Sequence, residues 1–262
     1  MLVTSASNPR LKQLRASLRS GGPDAQSRVR IEGLKLIGEA IQSRLQIEEV
    51  FVSEGWRRDA GVQALLRLIP GRQIVEVSDQ LFAKIANTES PQGLLALARM
   101  PDIQPDRLVQ EASLLVVGCE LQDPGNLGTL LRSAEAFGAE GVFLTQASVN
   151  PWNDKVIRAS AGSVFRVPCR GGFESIALLH NLEQHGFRLV AATPKSSGDF
   201  RLADYQGRFA LIVGNEGRGL SEEILNRVSA RIRIPMTTAV ESLNVSVAAS
   251  IILCEAARQR TG

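Results

Sequence analysis

Val213-Gly-Asn-Glu-Gly-Arg-Gly-Leu220, Ile234-Pro-Met236 and Ser242-Leu-Asn-Val-Ser246 follow one another in the last third of the chain. The reading of this stretch decides the fold. The apolar run ending at Val213 reads as a buried strand that enters a glycine-rich loop. The second motif ends another strand, and the third opens an apolar helix over Val245 to Arg260. Two loops and a helix start, rich in backbone donors and small residues, can close around one small molecule. The stretch therefore points to a bound cofactor rather than to a protein surface.

Upstream of it, strands and helices alternate. Leu114 to Val117, Val142 to Leu144, Val164 to Val167, Leu189 to Ala192, Phe209 to Val213 and Arg231 to Ile234 read as short apolar strands. Helices are expected over Asn126 to Phe137, near Pro151 to Ala161, over Ser175 to His185 and over Ser221 to Arg227. Such alternation implies an α/β fold with a largely parallel sheet covered on both faces.

Further upstream lies a smaller α/β unit. A short basic helix is expected over residues 10 to 19, broken by Gly21-Gly-Pro23. Ile31, Leu34, Ile37, Ile41 and Leu45 keep a helical period. Strands are expected at Ile47 to Val52, Gln73 to Val77 and Leu94 to Ala98, and helices at Gly61 to Ile69 and Gln80 to Ala86. Met100-Pro-Asp-Ile-Gln-Pro-Asp106 has two prolines and no apolar period. The domains read as 1–99, a linker over 100–111, and 112–262.

Composition narrows the class. The 262 residues are 44% hydrophobic, enough for real cores. No apolar run approaches the ~20 residues of a membrane span. The start, Met1-Leu-Val-Thr-Ser, shows no charged segment followed by an apolar one, so no secretory leader is expected. Cys119, Cys169 and Cys254 form no C-x-x-C pair and read as reduced core thiols of a cytoplasmic protein. His180 and His185 lack the i, i+4 spacing of paired ligands, and no metal is expected. Residues 1–30 carry six basic side chains against one acid, whereas residues 101–262 hold sixteen basic and seventeen acidic groups. The excess cation is an N-terminal feature, suited to a phosphate backbone or simply a solvated helix face.

Familiar nucleotide motifs do not fit. The first strand of the larger domain leads into Gly118-Cys-Glu-Leu-Gln-Asp-Pro-Gly-Asn126, which is not G-x-G-x-x-G. Gly214 to Gly219 has the glycine spacing of a phosphate loop, but Leu220 stands where its lysine must be. The cofactor is instead expected on backbone groups of several loops at the carboxyl ends of strands.

The three motifs, with Asp123-Pro-Gly-Asn-Leu-Gly-Thr-Leu-Leu-Arg-Ser-Ala-Glu-Ala-Phe-Gly138, resemble the SpoU (TrmH) family of RNA ribose 2′-O-methyltransferases, in the SPOUT superfamily. The resemblance covers residues 112 to 260. Glu32-Gly-Leu-Lys-Leu-Ile-Gly-Glu-Ala40, Val77-Ser-Asp and Thr88-Glu-Ser-Pro-Gln-Gly93 are similar to the L30e-like substrate-binding domain that often precedes it. The resemblance implies a C-terminal trefoil knot over about Gly214 to Arg260, a feature that packing rules would not propose. It implies S-adenosyl-L-methionine as cofactor, held by Thr193, Gly214, Ile234, Met236 and Leu243, mostly through backbone groups. It also implies a homodimer through the knotted domain.

Site residues follow with their plainer readings. Arg132 lies off the Leu127/Leu130/Leu131 face of its helix; it reads as a surface arginine, or by resemblance as the catalytic one. Asn126, Ser242 and Asn244 are good helix-cap types, and by resemblance they lie at the reaction centre. Glu216 is a loop carboxylate, solvated or else ordering Arg132 or Asn126. Arg10, Lys12, Arg15 and Arg19 are candidate RNA contacts. The implied reaction is methylation of a ribose 2′-hydroxyl, with ribosomal RNA as the expected substrate. Transfer RNA, or RNA binding without chemistry, are the alternatives. An arginine is a cation at physiological pH, so Arg132 acts either as a base activated by RNA phosphate or by orienting the nucleophile.

Overall fold

The computed structural model describes residues 2–18, 22–88, 91–237 and 240–261. Packing divides the chain into two units, Met1–Asp102 with Trp152–Arg158, and Ile103–Pro151 with Ala159–Gly262.

The first unit runs β1 (Leu2–Val3), α1 (Pro9–Leu18), β2 (Arg28–Glu32), α2 (Leu34–Gln42), β3 (Ile47–Ser53), α3 (Ala60–Leu66), β4 (Ile74–Val77), α4 (Asp79–Ile85) and β5 (Leu94–Arg99). Its sheet has the order β1-β4-β3-β5-β2. One face buries Leu11 and Leu14 of α1 and Leu81, Phe82 and Ile85 of α4 against Phe51, Val75, Leu95 and Leu97. The N-terminal helix is thus part of a core and not a free arm.

Strand β2 corrects a reading of period. Ile31 fits a helical repeat with Leu34 and Ile37, yet Arg28–Glu32 pairs antiparallel with β5. The alternation was masked because its polar positions are buried: Arg30 and Glu32 are 4% and 9% exposed. They stand two residues apart on one side of the strand and form an ion pair of 2.5 Å. The Glu32 carboxylate also accepts from the N–H groups of Asn87 and Thr88 and from the Thr88 hydroxyl.

The second unit begins with α5 (Pro105–Glu111), where a linker was expected. Pro105 sits in its first turn, as suits a residue without an N–H, and Val109 enters the core. There follow β6 (Leu114–Gly118), α6 (Pro124–Ala136), β7 (Gly141–Thr145), α7 (Asp154–Ala159), β8 (Cys169–Phe173), α8 (Ser175–Gln184), β9 (Arg188–Ala192), β10 (Phe209–Val213), α9 (Glu222–Leu225), β11 (Ala230–Ile232) and α10 (Val245–Thr261). Most of α7 groups with the first unit. The strand expected at Val164 to Val167 is a single 3-10 turn, Ser163–Phe165, and the ladder is made by Cys169–Phe173 instead. The last strand stops at Ile232, short of the expected Ile234.

All six strands of this sheet are parallel, in the order β11-β9-β10-β6-β7-β8. Alternate residues of β6 face opposite ways. Leu115 and Val117 meet Val109, Leu178, Leu179 and Leu182 of α5 and α8. On the α6 side, Leu127, Leu130 and Leu131 are buried, as are Ile252, Leu253 and Ala256 of α10. The two helices are pinned by Ser133 and Ser250, whose hydroxyls lie 2.6 Å apart.

One loop, residues 193–208, closes over the end of the chain. Thr193 N–H donates to Ile232 at 2.9 Å, Arg233 N–H to Gly198 at 2.7 Å, and Phe200 N–H to Arg233 at 3.0 Å. Further on, Tyr205 N–H donates to Gln259 Oε1 at 3.2 Å, and Arg260 Nη1 to the carbonyls of Tyr205 and Gly207 at 3.0 and 2.7 Å. The same loop thus holds both the strand end that precedes α10 and the last turns of α10 itself, within the stretch where the resemblance implies the knot.

Cys119 and Cys169 are buried, but Cys254 is exposed, against the expectation of three core thiols. Burial pushes the Cys119 thiol up to about 12. Among the described residues, no helix is long and apolar enough to cross a membrane, and no cluster of three His, Cys, Asp or Glu is placed to hold a metal.

Candidate functional site

The carboxyl ends of β11, β9, β10 and β6 lie side by side, so the loops that leave them share one edge of the sheet. Ligands of open parallel sheets bind at such edges. Here the loops are 193–208 after β9, 214–221 after β10 and 119–123 after β6, with the described residues 233–237 and 240–244 after β11.

The loop after β10 is a tight reversal. Asn215 and Gly219 exchange backbone hydrogen bonds of 3.1 and 2.9 Å. Asn215 Oδ1 accepts from the N–H groups of Gly217 and Arg218, and Asn215 Nδ2 donates to the Glu120 carbonyl at 2.9 Å. Gly214 is required by close approach: a Cβ there would come within 2.5 Å of the Gly219 carbonyl carbon. Arg218 pairs with Glu120 at 2.7 Å.

The loop after β6 ends in the cap of α6. Asp123 accepts from Asn126 N–H at 2.8 Å, with Pro124 behind it in the first turn. Glu216 reaches the same place. Its carboxylate accepts from Asn126 Nδ2 at 3.0 Å, Asp123 N–H at 3.2 Å and Gln122 N–H at 3.4 Å. Partial burial works against the charge on Glu216, but the bond from Asn126 and those from backbone N–H groups outweigh it. The carboxyl is held below its ordinary range.

Asn126 is bound from the other side as well. Its Oδ1 accepts from Asn244 Nδ2 at 2.8 Å. Asn244 Oδ1 accepts from Ser246 N–H at 3.0 Å and from the Ser246 hydroxyl at 2.7 Å, capping α10. Glu216, Asn126 and Asn244 thus tie three separate motifs into one chain of hydrogen bonds. Arg132, two turns along α6 from Asn126, is exposed, and among the described residues its guanidinium has no partner.

Of the expected cofactor residues, Thr193 has both backbone groups engaged, in the bond to Ile232 and in one from Ser196 N–H. The backbone groups of Gly214, Ile234, Met236 and Leu243 form no hydrogen bond among the described residues. Gly214 is buried, and Ile234, Met236 and Leu243 are half-buried. Ser242 is exposed and outside the hydrogen-bond chain. In the first unit, Arg10 pairs with Glu49 at 3.1 Å, Lys12 is exposed, and Arg15 reaches the Ala6 carbonyl only at 3.5 Å. Arg19 lies outside the described residues.

Sequence reasoning passed over Asp123, Asn215 and Ser246. The Asp-Pro step before an apolar helix marks Asp123 as a cap. Asn215 is legible locally only as a turn residue, through its bonds from Gly217 and Arg218; its bond to a carbonyl 95 residues away has no local signal.

Comparison with known proteins identifies the family. Residues 113–254 match the SpoU rRNA Methylase family, and residues 8–96 match the MRM3-like substrate binding domain. A 23S rRNA guanosine 2′-O-methyltransferase of Bacillus subtilis is 31% identical, over 85% of this chain and 86% of the relative. A crystal structure of an RNA 2′-O ribose methyltransferase superposes with a TM-score of 0.82 at 36% identity, over 100% of both chains. An rRNA methyltransferase from Sinorhizobium meliloti, solved with AdoMet bound, gives a TM-score of 0.84 at 29% identity, over 98% of this chain and 97% of that one. The chain belongs to the SpoU rRNA methylase family.

Proposed function

We infer that the protein transfers the methyl group of S-adenosylmethionine to a ribose 2′-hydroxyl of ribosomal RNA. The observation that carries this reading is the chain Glu216–Asn126–Asn244, which sets the three motif loops in one fixed geometry at the sheet edge.

The loops suit the cofactor. Gly214, Ile234, Met236 and Leu243 offer unengaged backbone donors and acceptors in buried or half-buried positions, and such groups call for a polar partner. Thr193 contributes its side chain and not its backbone. When bound, S-adenosylmethionine supplies an electrophilic methyl on a sulfonium and leaves as a neutral thioether, so no protein acid is needed to expel it. The protein's share is orientation and proton handling. Asn126 and Asn244, held from both sides, shape the site beside Glu216, and the exposed Ser242 helps to position the reacting ribose. Arg132, exposed and without a partner among the described residues, binds the RNA phosphate and stabilises the developing alkoxide in this reading.

Arg132→Ala is expected to lower methyl transfer about 100-fold or more, with cofactor affinity unchanged by calorimetry. Near-normal turnover would remove Arg132 from the mechanism. Residues 1–99 serve as the RNA-binding domain, with Lys12 and Arg15 as contacts and Arg10 partly committed to Glu49. The protein acts as a homodimer in the cytoplasm. The dimer is supported by Val247, which is 44% exposed on α10, with Cys254 exposed two turns along the same helix. Sedimentation at the monomer mass of 28.3 kDa at micromolar concentration would contradict the dimer.

A further inference from the structure

The first unit carries an exposed aromatic residue that its core does not explain. Trp56 is 41% exposed, in the turn between β3 and α3. Its indole lies over Gly93, where a Cβ would come within 2.1 Å of the indole Cγ. Gly93 also has φ +63°, so both conformation and contact call for glycine there. The turn is rigidly held. Asp79 accepts from the Ser53 hydroxyl and from Gly55 N–H, and the Trp56 carbonyl accepts from Asp59 N–H at 3.0 Å. Asp59 in turn caps α3 by accepting from Val62 N–H.

Three cations lie near this turn, two along the chain and one on the helix beside Gly93. Arg57 and Arg58 follow Trp56 directly. Lys35 is exposed in the first turn of α2, whose neighbour Leu34 donates its N–H to Gln92 Oε1, beside Gly93. Leu34 also touches the start of α3, since a Cβ on Gly61 would meet its Cδ2 at 3.0 Å. Among the described residues, the side chains of Lys35, Arg57 and Arg58 have no hydrogen-bond or ion-pair partner. Of the acids next to the turn, Asp59 and Asp79 are engaged as caps and loop ties, and Glu54 has no side-chain partner among the described residues. A fixed, exposed indole flanked by unpaired cations has the make-up of a nucleobase platform: the ring stacks a base, and the cations take the adjoining phosphates.

We propose that Trp56, with Lys35, Arg57 and Arg58, forms a stacking platform for an unpaired base of the RNA substrate. The proposal rests on the RNA-directed function above and adds a contact surface distinct from the α1 cations. Stacking needs an unpaired base, whereas charge alone accepts any backbone.

The test uses the full-length protein with a 23S rRNA transcript, and with a fully paired RNA duplex as control. Indole fluorescence is expected to fall on addition of the transcript and far less with the duplex, and in Trp56→Phe only the small response of the buried Trp152 should remain. Trp56→Ala is expected to raise KM for RNA about tenfold, with kcat at saturating RNA and cofactor affinity unchanged. Trp56→Phe should recover most of that loss. An unchanged KM in Trp56→Ala, or equal quenching by duplex and transcript, overturns the platform. If the wild-type protein quenches with RNA but transfers no methyl group, the functional reading fails while the platform stands.

Discussion

Asn244 Nδ2 donates to Asn126 Oδ1 at 2.8 Å, across 118 positions of sequence. Both amide orientations are dictated by neighbours. Ser246 N–H can only donate, so it fixes Asn244 Oδ1 as an acceptor and turns Nδ2 outward. The Glu216 carboxylate can only accept, so it fixes Asn126 Nδ2 as a donor and leaves Oδ1 for Asn244. The polarity of the α10 start is thereby passed through two amides to the loop after β10.

Asn126→Asp keeps the shape and breaks this logic. A second carboxylate would face Glu216, and the donor to Glu216 would be gone. We expect a loss of about 1 kcal/mol in denaturant unfolding, modest because Glu216 is exposed. Methyl transfer should fall roughly 100-fold, since the loops lose their fixed relation. Turnover within about twofold of wild type would show that the hydrogen-bond chain is incidental.

The pH dependence of Glu216 follows from its lowered carboxyl. Its folded-state value lies below the ordinary 4.5. Its stabilising contribution is therefore complete above that ordinary value and is lost as pH falls through the lower, folded one. The stability gap between wild type and Glu216→Gln should be flat from neutral pH down to about 5 and close below about 4. A gap that closes near neutrality would assign the titration elsewhere.

Gly214→Ala tests the close approach of the β10 loop to itself. The new methyl would meet the backbone of Gly219 and Leu220 at 2.5 to 2.7 Å, and backbone cannot rotate away. We expect a loss of about 1–3 kcal/mol in urea unfolding, together with weaker cofactor binding by calorimetry. Unchanged affinity would separate Gly214 from the cofactor loops.

The sequence pattern carried most of the second sheet, because short apolar strands such as Leu114–Gly118 and Phe209–Val213 are buried on both faces and stand out from their surroundings. It failed at Cys169–Phe173, where Arg170, Gly171 and Gly172 give an edge strand no apolar signal, and the nearby apolar Val164–Val167 drew the assignment instead. It failed again at Arg28–Glu32, where a buried ion pair imitates a solvated helix face. At the site, Asn126, Glu216 and Asn244 were each legible as motif residues. Their connection was not, because it depends on which loops the strand order brings to one edge. Resemblance supplied the knot, which local pattern does not encode.

Arg260 tests the closure of that knot. Its guanidinium donates to the Tyr205 and Gly207 carbonyls and, at 2.6 Å, to the Ser113 hydroxyl. It also lies 5.8 Å from the Phe209 ring centroid. Arg260→Ala should cost about 2 kcal/mol in unfolding. Amide exchange should rise in residues 203–208 before it rises in the sheet. Uniform exchange across the domain would show that the loop does not depend on the chain end.

The most direct test is methyl transfer itself. Purified protein is incubated with tritiated S-adenosylmethionine and 23S rRNA lacking its own modifications, and the labelled RNA is hydrolysed with alkali. A 2′-O-methyl ribose blocks cleavage of the following phosphodiester, so the label should appear in an alkali-resistant dinucleotide from one site. Label recovered in mononucleotides, as base methylation would give, or no incorporation at all, would contradict the account.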